Sequence, residues 1–483
     1  MSNTSKASQR ITALLDDNSF VEIGALVTAR ATDFNMKPTD APSDGCITGY
    51  GVIAGNPVYV YSQDVSVMNG TLGEMHAKKI ANLYDLAMKT GAPVIGLLDS
   101  AGIRLQEGTD ALNAFGELYL KQTLASGVIP QITAVMGNCG GGLAVLSAMA
   151  DFTFMEEKSA KLFVNAPNCL AGNNTGKCDT AAAKFQSEEA GIVDFVGDEA
   201  SVIAKIRELV SMLPANNEDD SSYLEECTDD LNRVNPEIES FVGDTAVAAA
   251  ILADDNAFFE VKADYEKSMV TGFMRLNGAT VGVIANRSEV VDRSEIASDT
   301  GKVTEKFDTV LTKKGCLKAA EFVNFCDAFE IPIVTLTNVT GFEATTCSEK
   351  GMAKAAAKLT AAFADATVPK VNVIIGKAYG TAYTVMNSKA TGADLTIAWP
   401  DAEIGTMDSK LAAKIMYEGQ GADVINDKAA AYKMLQSNVR SAARRGYVDQ
   451  VVEPALTRKY VIGAIEMLYT KTEDRPAKKH LTV

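Results

Sequence analysis

SGVIPQITAVMGNCGGG (126–142) and ATVPKVNVIIGKAYGT (366–381) decide the fold. Each carries a proline, then an apolar run rich in β-branched residues, then a cluster of glycine and small residues. An apolar run of that length bounded by proline and glycine reads as a buried strand. The first run continues through ITAVMGNCGGGLAVLSAMA (132–150), which is uncharged over 19 residues and so reaches the length of a membrane span. Asn138 and the glycines at 140–142 weaken any continuous helix, so a strand, a tight turn and a buried helix are expected instead.

Working outward, the two stretches are copies of one unit. Pro93 pairs with Pro332, Gly102 with Gly341, Pro130 with Pro369 and Gly137 with Gly376, each 239 positions apart. GAPVIGLLDSAG (91–102) matches FEIPIVTLTNVTG (329–341) in kind. LLDDNSFVEI (14–23) matches LADDNAFFEV (252–261), and GYGVIAGNPV (49–58) matches GFMRLNGATV (272–281). A period this long is a duplicated domain, not a solenoid. The acidic stretch PANNEDDSSYLEECTDD (214–230) interrupts the pattern between the copies and reads as a solvated linker, so domains of 1–235 and 236–483 are expected. Strands at 57–64, 93–99 and 130–137 alternate with helices at 74–91 and 143–150. The second copy repeats this with strands at 332–338 and 369–376 and a helix at 349–366. That alternation predicts an α/β fold with a largely parallel sheet covered by helices.

The bulk properties agree. A chain of 483 residues exceeds what one hydrophobic core fills, and 47% hydrophobic with 22% charged residues is an ordinary globular balance. A net charge of −17 argues against nucleic-acid partners and anionic membrane surfaces. Eight scattered cysteines without a CxxC pair read as reduced thiols of a cytoplasmic protein, and the N-terminus has no apolar core of a signal peptide.

Side-chain chemistry is sparse. Only His76 and His480 are present, so a histidine triad or a histidine-rich metal site is not expected; no metal is. GxSxG, Walker A and strand-bound GxGxxG motifs are missing. Cys139 beside the glycine turn has no histidine near it in sequence, which argues against a nucleophile. What remains is the turns themselves. A small-residue turn at a helix start aims free N–H groups outward, ready for an anion or a developing oxyanion. Two such turns without an acid or base suggest two enolate-like oxygens and a ligand that carries its own proton chemistry.

DSAGIRLQEG (99–108), ASGVIPQITAVMGNCGGG (125–142), FVNFCDAFEIPIV (322–334), ATVPKVNVIIGKAYGTAY (366–383), AWPDAEIGTM (398–407) and RPAKKH (475–480) resemble the carboxyltransferase subunits of biotin-dependent acyl-CoA carboxylases and decarboxylases. That family includes propionyl-CoA carboxylase and the α subunits of methylmalonyl-CoA and glutaconyl-CoA decarboxylases. The resemblance runs from about residue 10 to the C-terminus. It implies two tandem crotonase-like domains of the ClpP/crotonase superfamily, the first on the acyl-CoA side and the second on the biotin side. It further implies a hexamer built as a trimer of dimers, and a carboxyl group moved between N1 of carboxybiotin and the α-carbon of a short acyl-CoA, propionyl- or methylmalonyl-CoA. Biotin would sit on a separate carrier protein, because no attachment sequence is recognised in this chain. A biotin carboxylase subunit or a membrane decarboxylase subunit would complete the system.

Carried over by position, the first oxyanion turn falls on Gly140, Gly141 and Gly142 and the second on Gly380, Thr381 and Ala382. The resemblance thus implies Gly141, Gly142, Thr381 and Ala382 as catalytic backbone donors. Gly140, Ala101, Gly102, Arg104, Gly380 and Thr384 are implied for substrate binding, with Ala101 and Ile103 narrowing the acyl pocket and Thr384 standing where propionyl-CoA carboxylases carry an acid. The sequence departs from the family at 99–104, at 340–342, at 354–356 and through NAPNCLAGNNTGKCDTAAAKF (165–185). Two other readings stay open: a lapsed carboxyltransferase kept as a scaffold in a mixed hexamer, and a biotin-independent hydratase or isomerase of crotonase type.

Overall fold

A computed structural model describes residues 5–30, 41–218, 223–224, 227–292 and 302–475. His480 and most of the 475–480 motif lie outside them. The chain divides into two compact units, Met1–Ser222 with Lys262–Tyr265, and Tyr223–Val261 with Glu266–Val483. The division falls earlier than residue 235 because residues around 233–235 are held by the second unit. Arg233 donates to the Ala253 carbonyl at 2.7 Å and Asn235 to the Ile251 carbonyl at 3.3 Å.

The first unit begins with helix α1 (Lys6–Leu14), capped by the Ser5 hydroxyl, and strands β1 (Val21–Ile23), β2 (Cys46–Ile53) and β3 (Asn56–Gln63). These three run antiparallel. Helix α2 (Glu74–Thr90) then crosses to β4 (Val94–Ser100), and α3 (Thr109–Ala125) to β5 (Gln131–Gly140), both joining in parallel. Gly91, in the left-handed region at φ 63°, ends α2 where the sequence places a stop. After helix α4 (Gly142–Ala148) come β6 (Phe152–Glu156), β7 (Lys161–Phe163), α5 (Ala183–Glu188), β8 (Phe195–Gly197) and α6 (Glu199–Met212). The sheet order is β1-β2-β3-β4-β5-β6-β8, with β7 paired to the far end of β5. Every residue of β4 is buried, as a strand covered by helices on both faces requires.

The second unit repeats this path. After α7 (Thr245–Leu252) come β9 (Phe258–Val261), β10 (Met269–Leu276) and β11 (Ala279–Asn286). A ribbon of β12 (Glu289–Asp292) and β13 (Lys302–Lys306), then β14 (Val310–Leu311), lead to helix α8 (Lys313–Ala328) and β15 (Ile333–Val339). Beyond them lie β16 (Gly341–Phe342), α9 (Thr346–Glu349), α10 (Met352–Asp365), β17 (Lys370–Tyr379), α11 (Gly380–Val385), β18 (Leu395–Ala398), β19 (Glu403–Gly405) and β20 (Gln450–Val451). The order β9-β10-β11-β15-β17-β18-β20, with β19 on the tip of β17, is that of the first sheet. The helix expected over 349–366 is divided, because Gly351 at φ 142° separates α9 from α10.

The register of the long strands is duplicated as well. Val94 faces Gln131 and Ile333 faces Lys370; both ladders run on until a slip, between Leu98 and Ser100 in one and Thr337 and Val339 in the other. Extra residues on β5 and β17 bend each strand at that point, as bulges do. Ile132–Val135 therefore pairs with β6, whereas Asn138–Gly140 pairs with β7. The bend carries the strand tip, and the turn after it, to the edge of the layer.

Candidate active site

Both turns stand on those bent tips. Gly141 holds φ 60° and ψ −122°, and Gly380 holds φ 62°, a region that side-chain-bearing residues rarely enter. Gly141 and Gly380 are 239 positions apart, the period of the repeat. The uncharged stretch 132–150 accordingly forms β5, the turn and α4.

The donors of the two turns are not all unspent. The Gly141 N–H donates to the Phe163 carbonyl at 2.9 Å, so Gly141 shapes the turn and is not itself a free donor. The N–H groups of Gly142 and Leu143, which begin α4, have no acceptor among the described residues, nor have those of Thr381 and Ala382 at the start of α11. Ala382 is buried and anchors its helix, while Thr381 and Thr384 are exposed. Thr384 thus faces outward from α11, and its carbonyl accepts from Ser388 and Thr391 at 3.1 and 2.5 Å.

The first turn opens on a cavity of about 780 Å³. Ala101, Gly102, Gly140, Gly141 and Gly142 all line it, together with Ile103, so the loop after β4 and the turn after β5 meet at one cavity. Its apolar walls were not foreseen: Leu112, Phe115 and Tyr119 of α3, and Phe163. Phe115 and Tyr119 occupy an apolar face of a helix, a pattern no different from core packing in sequence alone. Phe163 reaches the site only through the β5–β7 pairing.

Arg104 is corrected. Its side chain has no exposed surface, and its guanidinium is bonded to Asp44, to Glu107 at 2.9 Å and to the Thr71 carbonyl at 2.6 Å. It fastens the 100–108 loop from beneath and is not among the residues that line the cavity. Glu107 in turn accepts the Glu74 N–H at 2.6 Å, tying the same loop to the start of α2. Asp99, at the end of β4, pairs with buried Arg10 at 3.0 Å, and its N–H donates to the Gln63 side chain at 3.0 Å.

The remaining candidates for side-chain chemistry are inert. His76 is fully buried. Its Nδ1 lies 3.0 Å from the Asp44 carbonyl, which only accepts, so Nδ1 carries the proton and Nε2 faces the Gln63 amide at 3.3 Å. Burial, aided by the Arg104 and Lys79 charges, lowers its pKa to about 3, and the ring stays neutral. Cys139 is buried, which pushes its thiol well above the usual range. All eight cysteines are free thiols. Among the described residues, no cluster of three or more metal-ligating side chains occurs, and no helix is long and apolar enough to cross a membrane.

Two sheets of this order, each ending in a backbone donor turn, are the arrangement of tandem crotonase-like domains. The chain belongs to the carboxyl transferase domain family, whose model matches residues 3–483. It is 40% identical over 494 residues to the propionyl-CoA carboxylase beta chain of Roseobacter denitrificans, covering 98% of this chain and 92% of that one. The methylmalonyl-CoA decarboxylase subunit alpha of Propionigenium modestum is 37% identical over 498 residues, with the same coverage. Among solved structures, the transcarboxylase 12S hexamer with methylmalonyl-coenzyme A and methylmalonic acid bound superposes with a TM-score of 0.90 at 35% identity, covering 99% of this chain and 92% of that one.

Proposed function

We propose that the chain moves a carboxyl group between biotin and the α-carbon of a short acyl-CoA, with propionyl- and methylmalonyl-CoA as the favoured pair. The observation that carries this reading is the duplication of the donor turn, each copy with N–H groups that nothing in the described chain accepts. A hydratase or isomerase needs one such site. The relatives named for propionyl-CoA carboxylase and methylmalonyl-CoA decarboxylase support the acyl group, as does the methylmalonyl-coenzyme A bound in the 12S structure.

In this reading the Gly142 N–H, with Leu143 beside it, faces the thioester oxygen. Removal of the carboxyl group breaks a carbon–carbon bond and leaves its electron pair on the α-carbon and that oxygen as an enolate. A preorganised donor in an apolar cavity stabilises the growing charge far more than water would. Ile103, Leu112, Phe115 and Tyr119 would border that oxygen with apolar surface. The Thr381 and Ala382 N–H groups fit a ureido oxygen, since both lack acceptors and Thr381 is exposed. Biotin, when bound there, supplies the nitrogen that exchanges its proton for the carboxyl group, which balances the reaction without a side-chain base. Neutral buried His76 and buried Cys139 agree with that division of work.

The same reading gives a cytoplasmic hexamer that receives biotin on a carrier chain and works with a biotin carboxylase or a membrane decarboxylase subunit. Incubating the purified chain with methylmalonyl-CoA and free biotin tests it. Propionyl-CoA should form only when biotin is present; formation without biotin, or none from the folded chain, would overturn the proposal.

A further inference from the structure

We infer that Tyr119 is a positioning residue for the acyl-side turn, holding one peptide plane of the oxyanion site; the inference rests on the carboxyltransferase reading above. Its hydroxyl donates to the Gly142 carbonyl at 2.8 Å. A peptide unit is planar, with its carbonyl and the following N–H pointing in opposite directions. Fixing the Gly142 carbonyl therefore fixes the direction of the Leu143 N–H, one of the two unspent donors of this turn. Burial raises the Tyr119 phenol above its usual range, so it stays protonated and able to donate.

The lock and the turn are sterically matched. Phe115 and Tyr119 stand one helical turn apart on α3, ring centroids 6.1 Å apart, and both line the cavity. A Cβ on residue 142 would come within 2.9 Å of Phe115 Cε1 and of the Tyr119 hydroxyl, so this aromatic pair leaves room only for glycine.

The second unit has the frame without the lock. On α3 the buried residues are Ala111, Ala114, Phe115, Leu118, Gln122 and Ala125; on α10 they are Met352, Ala355, Ala356, Leu359, Ala362 and Phe363, five of which repeat the α3 spacing. Matching these burial patterns at an offset of 241, two more than the 239 of the flanking strands, sets Ala356 against Phe115 and Thr360 against Tyr119. The Thr360 hydroxyl donates to the Ala356 carbonyl of its own helix at 2.8 Å. Correspondingly, position 381 carries a threonine where position 142 must be glycine. One turn is clamped by an aromatic hydroxyl and its repeat is not.

The test is Tyr119→Phe in the full chain, with Thr360→Val as the matched change in the other unit. Free-biotin transfer should show kcat down about three- to tenfold, the scale of one neutral hydrogen bond, with KM for the acyl-CoA and the melting temperature unchanged. Affinity for a nitro analogue of propionyl-CoA, whose nitronate oxygen mimics the enolate, should fall by the same factor while affinity for propionyl-CoA stays the same. Thr360→Val should alter neither ligand. Unchanged kcat and nitronate affinity would overturn the inference, and so would equal losses for both ligands with a lowered melting temperature. Failure of the wild-type chain to transfer carboxyl would instead count against the carboxyltransferase reading, and the nitronate comparison would still report on Tyr119.

Discussion

The Phe163 carbonyl accepts the Gly141 N–H at 2.9 Å, and that single bond sets which donors of the first turn are left for a ligand. It also pins the turn to β7, so the backbone at Gly141 is held in its glycine-only region from one side while α4 starts on the other. Gly141→Ala places a side chain at φ 60°, which costs about 1–3 kcal/mol and is relieved only by moving the turn. The expected outcome is a folded chain of lowered melting temperature whose carboxyl transfer is strongly reduced. Calorimetry alongside the biotin-dependent assay checks both.

The buried Asp44–Arg104–Glu107 group makes a prediction about stability. All three side chains of this ion group are fully buried, and removing the cation strands two carboxylates. Arg104→Ala should destabilise the first unit by about 3–5 kcal/mol. Chemical denaturation is the direct measurement. A ligand-contact role would instead have shown itself as weaker acyl-CoA binding at unchanged stability.

His76 gives a pH dependence of defined sign. Its folded-state pKa of about 3 lies below the ordinary value of 6.5, so below pH 6.5 the unfolded chain binds a proton that the folded chain refuses. This contribution to stability is complete above pH 6.5 and is lost as pH falls, at about 1.4 kcal/mol per pH unit. Asp44, raised by its burial, works in the opposite direction, so the comparison must be between wild type and His76→Gln. Between pH 7.5 and 5 the wild type should lose about 2 kcal/mol more than the variant in denaturation experiments. Parallel curves would contradict the assignment of a buried neutral ring.

Much of this was legible in the sequence, for a physical reason. Strand, glycine turn and helix leave periodic and compositional marks, and duplication displayed each mark twice, so the turns at 137–142 and 376–381 could be read directly, whereas Ala101 and Gly102 entered the site only through the family resemblance. What escaped depends on tertiary register. Arg104 was carried over from the family motif at 99–104, and nothing near it in sequence shows that Asp44, sixty residues earlier, is buried beneath it. Gly141 looked like a donor because its acceptor lies on β7. Phe115 and Tyr119 drew no reading at all, because an apolar helix face looks the same whether it meets a sheet or a cavity.

Thr384 tests the pocket's reach. Its exposed position on α11, three residues past Thr381, makes it available to a ligand held by that turn. Competing C2 to C6 acyl-CoAs should show a graded preference for the short ones, since one methylene in an apolar pocket is worth about 1–3 kcal/mol. Thr384→Asp, on the turn read as the biotin side, should raise KM for free biotin and leave that ranking as it is. An unchanged KM for biotin would place Thr384 out of reach of that turn's ligand.

The central claim is that two backbone turns hold two oxyanions, and Ala382→Pro tests it most directly. Ala382 is the third residue of α11, within the first turn where proline is tolerated, and the change deletes one unspent N–H of the biotin-side turn without touching the acyl cavity. With folding verified by circular dichroism, carboxyl transfer to free biotin should fall by about two to three decades while the affinity for propionyl-CoA is retained. Unchanged transfer in the folded variant would show that the second turn is only structural.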